Sequence, residues 1–165
     1  MSPSPEDLES SVIWSVIRAA HVLEREVTAL FAGFDLSPVQ FGVVSYLGAN
    51  GPMTTAELAR SVLVRPQSIA GVVNALQVRG VVDRRGGRGR GRASPVALTL
   101  AGEQLLAQVW PAFVTADDVV RSGMPTVQAG VLTAMLGSLA ARDGRGDRGQ
   151  GVPPVAPSSS AEENP

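Results

Sequence analysis

The chain has 165 residues, with fourteen basic side chains, fifteen acidic ones and a net charge of −1. It contains no cysteine and a single histidine, which excludes a disulfide scaffold, a thiolate zinc site, cysteine-based redox sensing and a histidine-rich metal site. Hydrophobic residues make up 44% of the chain and aromatics only 4%, so one domain with a sizeable core is expected, packed mostly by aliphatic side chains and alanine.

The first element starts at Ser4-Pro5-Glu6-Asp7: a capping serine, proline at the first helical position and acids in the first turn. The pattern predicts a helix to about Phe31. Val12, Val16, Ala19, Leu23, Val27 and Leu30 form one apolar stripe, with Ile13, Ile17 and Ala20 beside it. That stripe is wide enough to suggest burial on two sides, including against a second chain; the alternative is the central helix of a monomer core, and the interface is favoured because the C-terminal part repeats the pattern. Gly33 breaks the helix. Ser37-Pro38-Val39-Gln40 restarts one with a cap, a proline at N1 and an S-x-x-Q box, and Phe41, Val44 and Leu47 form its core face. Gly48 to Pro52 ends it, and Met53 is placed to pair with a later strand.

The stretch from Thr54 to Thr99 carries the strongest signals. Thr54 caps a short helix, with Glu57 at the capping-box distance. A second helix opens at Pro66 and closes at Gly80, with Ile69, Val72, Val73 and Leu76 on one face. A β-like pair follows: Val81 and Val82 lead into an Arg/Gly-rich tip, and Val96 and Leu98 lead out, with Pro95 tolerable at an edge. Helix, turn, helix and basic wing is the order of a winged helix-turn-helix, whose second helix enters the major groove of DNA. Between Arg60 and Arg92 stand eight arginines and one acid, Asp83, for a net charge of +7. The rest of the chain therefore sums to −8. Positive charge confined to one segment suits a polyanion held at one surface.

Beyond the wing, Thr99 caps another helix with Leu105, Leu106, Val109, Trp110 and Phe113 on its apolar face, and Pro111 inside it predicts a kink. Gly123 and Pro125 separate a last helix bearing Val127, Val131, Leu132, Met135, Leu136 and Leu139 on one side. From Asp143 onward the chain is Gly, Pro, Ser and charge, and reads as a disordered tail. No apolar run reaches the length of a membrane span, and the N-terminal MSPSPEDLES is acidic, unlike a signal peptide. The expectation is a cytoplasmic protein with no membrane partner. Its fold class is mainly α with a small β wing, in four parts: an N-terminal dimerisation helix over 5–35, a DNA-binding domain over 36–99, C-terminal dimerisation helices over 100–142 and the tail over 143–165.

LSPVQFGVVSYL, the run TTAELARSVLVRPQSIAGVVNALQVRGVVDRR and VALTLAG after the wing, in that order and spacing, resemble the MarR-type transcriptional regulators over roughly residues 8 to 141. The resemblance implies an obligate homodimer, with interlocking N- and C-terminal helices and two winged domains on a pseudo-palindromic operator. It also implies a small-molecule effector, often a phenolic or lipophilic anion, between the dimerisation and DNA-binding parts. One departure concerns the wing. The family's Asp-x-Arg falls on Arg90-Gly91-Arg92. Arg92 matches the arginine expected in the minor groove, but Arg90 replaces the acid that usually steadies the tip. Leu100 likewise stands where the family often has an acid.

The candidate DNA-binding residues follow. Gln67 and Asn74 suit paired hydrogen bonds to adenine, and Ser68 suits a base or phosphate; Ala70 and Gly71 allow close approach or contact with a thymine methyl. Pro66 sits where free helix amides point to phosphate. Arg88, Arg90 and Arg92, and less directly Arg84, suit phosphates and a narrow minor groove. Thr55 suits a backbone phosphate, while Thr54 is explained by capping alone. His21 and Glu24 are too few to hold a metal. Trp14, Trp110 and Phe113 are candidates for an effector pocket, although aromatics at helical spacing are more often core. No catalytic constellation occurs in a plausible setting, and Gly-Gly-Arg-Gly-Arg-Gly lacks the strand-to-helix context of a nucleotide loop. No enzyme activity and no cofactor are expected. The reading is a DNA-binding regulator, most simply a ligand-responsive repressor; the alternative is a winged-helix module that binds protein and not DNA.

Overall fold

A computed structural model of the chain describes residues 4–84 and 94–143. In its first compact unit, residues 1–126, the order is α1 (Pro5–Glu9), α2 (Val12–Ala32), α3 (Pro38–Asn50), α4 (Thr55–Ser61), α5 (Pro66–Val78), β1 (Val82–Arg84), β2 (Val96–Leu98) and α6 (Leu100–Ser122). The second unit, residues 127–165, is described through one helix, α7 (Thr126–Asp143). This is the predicted class, mainly α with a two-stranded antiparallel wing. Val82 pairs with Leu98, Asp83 with Ala97 and Arg84 with Val96. Met53 adds the expected short bridge, exchanging two backbone hydrogen bonds with Val96 at 2.9 and 2.7 Å.

Short polar side chains fix where the helices begin. Ser4, Ser37 and Thr54 each form a complete capping box, with Asp7, Gln40 and Glu57 reaching back to the cap amide. Thr99 caps α6 by accepting from the Gly102 amide. One expectation needs correction. The single helix from Ser4 to about Phe31 is two helices, because Ser11 adopts an extended conformation and its hydroxyl caps the Trp14 amide. Serine competes with the helix for its own backbone groups, and Ser10-Ser11 does so at this point.

The core lies around α3, which packs on α2, α4, α5, α6 and β2. Phe41, Val44 and Leu47 are buried as predicted, and Val43 with them. A helix enclosed on several sides buries more than one face. Leu58, Ile69, Val73, Leu76, Val82, Val96 and Val109 complete the interior. Four of the seven aromatics also meet here. Phe41 stacks on Phe31 with centroids 4.1 Å apart, and reaches Phe113 at 4.8 Å and Trp110 at 6.3 Å.

Two junctions set the geometry of the wing. At the end of α5, Gly80 takes φ +71° while the Val81 amide bonds the Leu76 carbonyl and the Gly80 amide bonds that of Gln77, a Schellman closure that needs a left-handed residue. At the start of α6, Gly102 lies directly on the Val81 carbonyl, so that a Cβ there would stand 2.1 Å from the oxygen. The same carbonyl accepts the Thr99 amide at 3.1 Å, and the Thr99 hydroxyl bonds the Gly80 carbonyl at 2.6 Å. α6 is one helix across Pro111. No single described helix is long and apolar enough to cross a membrane.

Candidate nucleic-acid interface

α4 and α5 are joined by a tight turn in which Leu63, exposed, is held at φ +53°. A left-handed leucine is strained, and its amide and those of its neighbours are tied to α4: Val62 to Leu58, Leu63 to Arg60 and Val64 to Ala59. The turn therefore fixes the start of α5. Along α5, Ile69, Val73 and Leu76 are buried and Val72 is half-buried. Gln67, Ser68, Ala70, Gly71 and Asn74 all lie on the exposed face. Space at Gly71 is open, with nothing within 4 Å of an added Cβ, so the surface there is limited only by what docks on it.

The N-terminus of α5 is uncapped by any side chain. Its N-cap is Arg65, and Pro66 at N1 carries no amide hydrogen. Arg65 is exposed beside Pro66, Gln67 and Ser68. From sequence alone Arg65 enters only as part of the net charge. Its position in front of an uncapped helix end was readable from Arg65-Pro66 and adds a cation where the helix itself favours an anion. Thr55 is half-buried at the first position of α4. In the capping box beside it, hydrogen bonds from the Thr54 amide and hydroxyl hold the Glu57 carboxyl below the usual carboxylate range.

The basic stretch divides into cations bound into the fold and cations left exposed. Arg79 donates from its guanidinium to the Asp35 and Phe34 carbonyls, the second at 3.4 Å, and so ties the end of α5 to the α2–α3 turn. Arg84 is exposed on β1, with no ion pair among the described residues. Its neighbour Asp83 accepts from the Arg84 amide at 2.7 Å and from Gln77 Nε2 at 3.4 Å. Arg88, Arg90 and Arg92 lie outside the described residues, as does the glycine-rich tip.

Behind the wing lies a cleft of 650 Å³ between the C-terminal half of α3, the Gly51-Pro52 link, β2 and the first part of α6. Leu47, Gly48, Ala97, Leu98, Leu106 and Trp110 supply most of its walls, with Ser45 and Glu103 as polar members. The Ser45 hydroxyl oxygen is buried with no hydrogen-bond partner among the described residues. Gly48 permits the close approach of α3 and α6, since a Cβ there would fall 2.3 Å from Leu106 Cδ2. Of the three candidate pocket aromatics, Trp110 lines this cleft, and Phe113 lines a smaller cavity of 220 Å³ between α2 and α6; Trp14 is exposed on α2. The cleft escapes sequence reading because its walls come from segments some fifty residues apart.

Comparison with known proteins places this architecture. The MarR family model matches residues 34–93. The chain is 30% identical to the HTH-type transcriptional repressor Rv2887 of Mycobacterium tuberculosis over 122 residues, 74% of this chain and 88% of the relative. The structure of that MarR family protein in complex with salicylic acid superposes with a TM-score of 0.62 at 28% identity, covering 79% of this chain and 96% of the other. The transcriptional repressor CouR bound to a 23-mer DNA duplex superposes with a TM-score of 0.76 at 22% identity, covering 85% and 99%; a further CouR structure is from Rhodococcus jostii RHA1. The capped helix pair, the two-stranded wing and these matches agree: the chain belongs to the MarR family of transcriptional regulators.

Proposed function

We propose that the chain acts as a homodimer that occupies a pseudo-palindromic operator, represses transcription there and releases the DNA when a small molecule binds the cleft. The observation that carries this reading is the exposed face of α5. Gln67, Ser68, Ala70, Gly71 and Asn74 face outward, opposite buried Ile69, Val73 and Leu76, behind an uncapped, arginine-flanked helix start. In this reading α5 lies in the major groove. Gln67, Ser68 and Asn74 meet base edges, and Ala70 and Gly71 allow the approach. Pro66 and Thr55 border phosphates, and Arg84, Arg88, Arg90 and Arg92 serve the backbone and minor groove.

The homodimer is supported by apolar side chains that α2 leaves exposed, among them Val12 at 72% and Ile13 at 75%. A soluble chain covers so much apolar surface with a partner, and a second copy supplies the same face by twofold symmetry. Ligand response is supported by the walls of the cleft. Ala97 and Leu98 belong to β2, and Gly51-Pro52 leads into the Met53–Val96 bridge. A molecule seated there bears directly on the stem of the wing.

The test is a titration of the purified protein against duplex from its own upstream region, beside a scrambled duplex, at several salt concentrations. Saturable binding to the native duplex alone is expected, weakening with salt by a log–log slope of about −0.9 per phosphate contact. Arg92→Ala should weaken binding across sequences sharing the same flanks. Gln67→Ala should relax preference at one base pair, at a cost of about 1–3 kcal/mol for a bidentate contact. A Gln67→Ala protein that reads every operator variant as the parent does overturns this placement of α5. Absence of binding at low salt overturns the DNA reading in favour of a protein-interaction module.

A further inference from the structure

The chemistry of the cleft walls names the class of ligand it would take. The two segments that build it, residues 38–56 and 93–110, carry one charged side chain between them, Glu103. Glu103, Ala107 and Trp110 all line the cleft from α6. Their spacings of four and three residues put them on one helix face, with Glu103 and Trp110 about 10 Å apart along the axis. Trp110 is 46% exposed and so presents ring surface, and an indole face attracts cations. The wall thus offers a carboxylate and a π face, both complementary to positive charge. The remaining lining is apolar, apart from the Ser45 hydroxyl, which donates or accepts. The smaller cavity between α2 and α6 also has carboxylates, Glu26 and Asp117, but Asp117 is paired with Arg121 and the volume is 220 Å³ against 650 Å³.

We infer that the cleft behind the wing binds a flat, apolar cation, an aromatic or polycyclic amine, with its ring against Leu106 and Trp110 and its ammonium group toward Glu103. A carboxylic acid of the same shape is disfavoured there, since it meets a like charge and no cation on these segments. This rests on the proposal that the cleft is the effector site, and it adds the ligand's charge.

The experiment uses three probes sharing one ring system: 2-naphthylmethylamine, 2-naphthamide and 2-naphthoate. Each is titrated into the full-length protein by calorimetry, and separately into the protein–duplex complex. The expected order is amine, then amide, then acid, with about tenfold between the first and last, a modest gap because Glu103 is solvent-exposed. Glu103→Gln should shrink the amine–acid gap to about twofold or less while leaving the amide unchanged. Ala107→Phe, which fills the cleft, should weaken all three. Naphthoate binding as tightly as the amine, or an unchanged gap in Glu103→Gln, overturns the inference, as does failure of all three probes to bind. The DNA arm separates the two readings. Ligand order is measured without DNA, so a protein that ranks the probes as expected but holds its duplex throughout refutes the effector role and leaves the ligand class standing.

Discussion

Gly102→Ala tests the junction on which the wing is built. The added methyl carbon would stand 2.1 Å from the Val81 carbonyl oxygen and 3.1 Å from the carbonyl carbon. An ordinary carbon–oxygen contact is more than 1 Å longer, and the obstructing atoms are backbone, so no side-chain rotation relieves the clash. Either α6 moves away from Val81 or the Val81–Val82 peptide turns. Turning it disturbs the bonds from the Thr99 amide, at 3.1 Å, and the Thr99 hydroxyl, at 3.2 Å, to the Val81 carbonyl. Overpacking of this kind costs about 1–3 kcal/mol, and each weakened hydrogen bond adds about 1 kcal/mol. Against this stands the gain of about 0.5–1 kcal/mol from replacing glycine within a helix. The net expectation is a loss of about 2–4.5 kcal/mol, read as a fall in urea midpoint at equal protein concentration. Gly71→Ala is the control. It makes the same exchange inside α5 with nothing within 4 Å, and should gain about 0.5–1 kcal/mol. If both variants shift the midpoint upward alike, the close packing of α6 on Val81 is refuted.

Three further outcomes are expected. The Thr54–Glu57 capping box holds the Glu57 carboxyl low through hydrogen bonds from Thr54; its stabilising contribution is therefore complete above the ordinary carboxylate value and is lost as pH falls through the lower folded-state value. Acidification should accordingly lower the parent's Tm more than that of Glu57→Gln, which keeps the hydrogen bonds without the titration; parallel Tm–pH curves argue against the box. Gly80→Ala places a side chain at φ +71° and should cost about 1 kcal/mol in chemical unfolding; a stability equal to the parent's contradicts the Schellman closure. Ile13→Asp charges the most exposed apolar position of α2. If that face is the dimer contact, losing two isoleucine burials removes about 3–6 kcal/mol per dimer, and the dissociation constant rises at least about a hundredfold by light scattering; an unchanged dimer moves the interface elsewhere.

What the sequence disclosed is what depends on neighbours in the chain. Ser37-x-x-Gln40 and Thr54-x-x-Glu57 announce helix starts because the cap hydroxyl and the third helical residue bond each other locally. Gly80 announces an end because only a left-handed residue closes the Schellman turn cheaply. The face of α5 was legible because a 3.6-residue period separates Ile69, Val73 and Leu76 from Gln67, Ser68 and Asn74. The break at Ser10-Ser11 lies ahead of the apolar stripe, which begins only at Val12, so the stripe's phase does not register it. Val43 was missed because one helical period cannot announce a helix enclosed on several sides. The cleft was invisible for a different reason: Gly48 and Leu106 meet only once α3 and α6 are packed.

Charge shows most clearly where counting along the sequence falls short of placing residues in space. The +7 of residues 60–92 treats its eight arginines as equivalent. In the fold, Arg79 is spent on the Phe34 and Asp35 carbonyls, 45 and 44 residues away along the chain. Arg65, by contrast, stands exposed in front of an uncapped helix. The two differ in what salt does to them. An arginine held by carbonyls releases no counterions to DNA, while one beside a helix N-terminus does so when phosphate arrives. Arg65→Ala should therefore flatten the salt dependence of DNA binding by about one unit of slope. Arg79→Ala should leave that slope alone and lower stability instead, because it unties α5 from the α2–α3 turn.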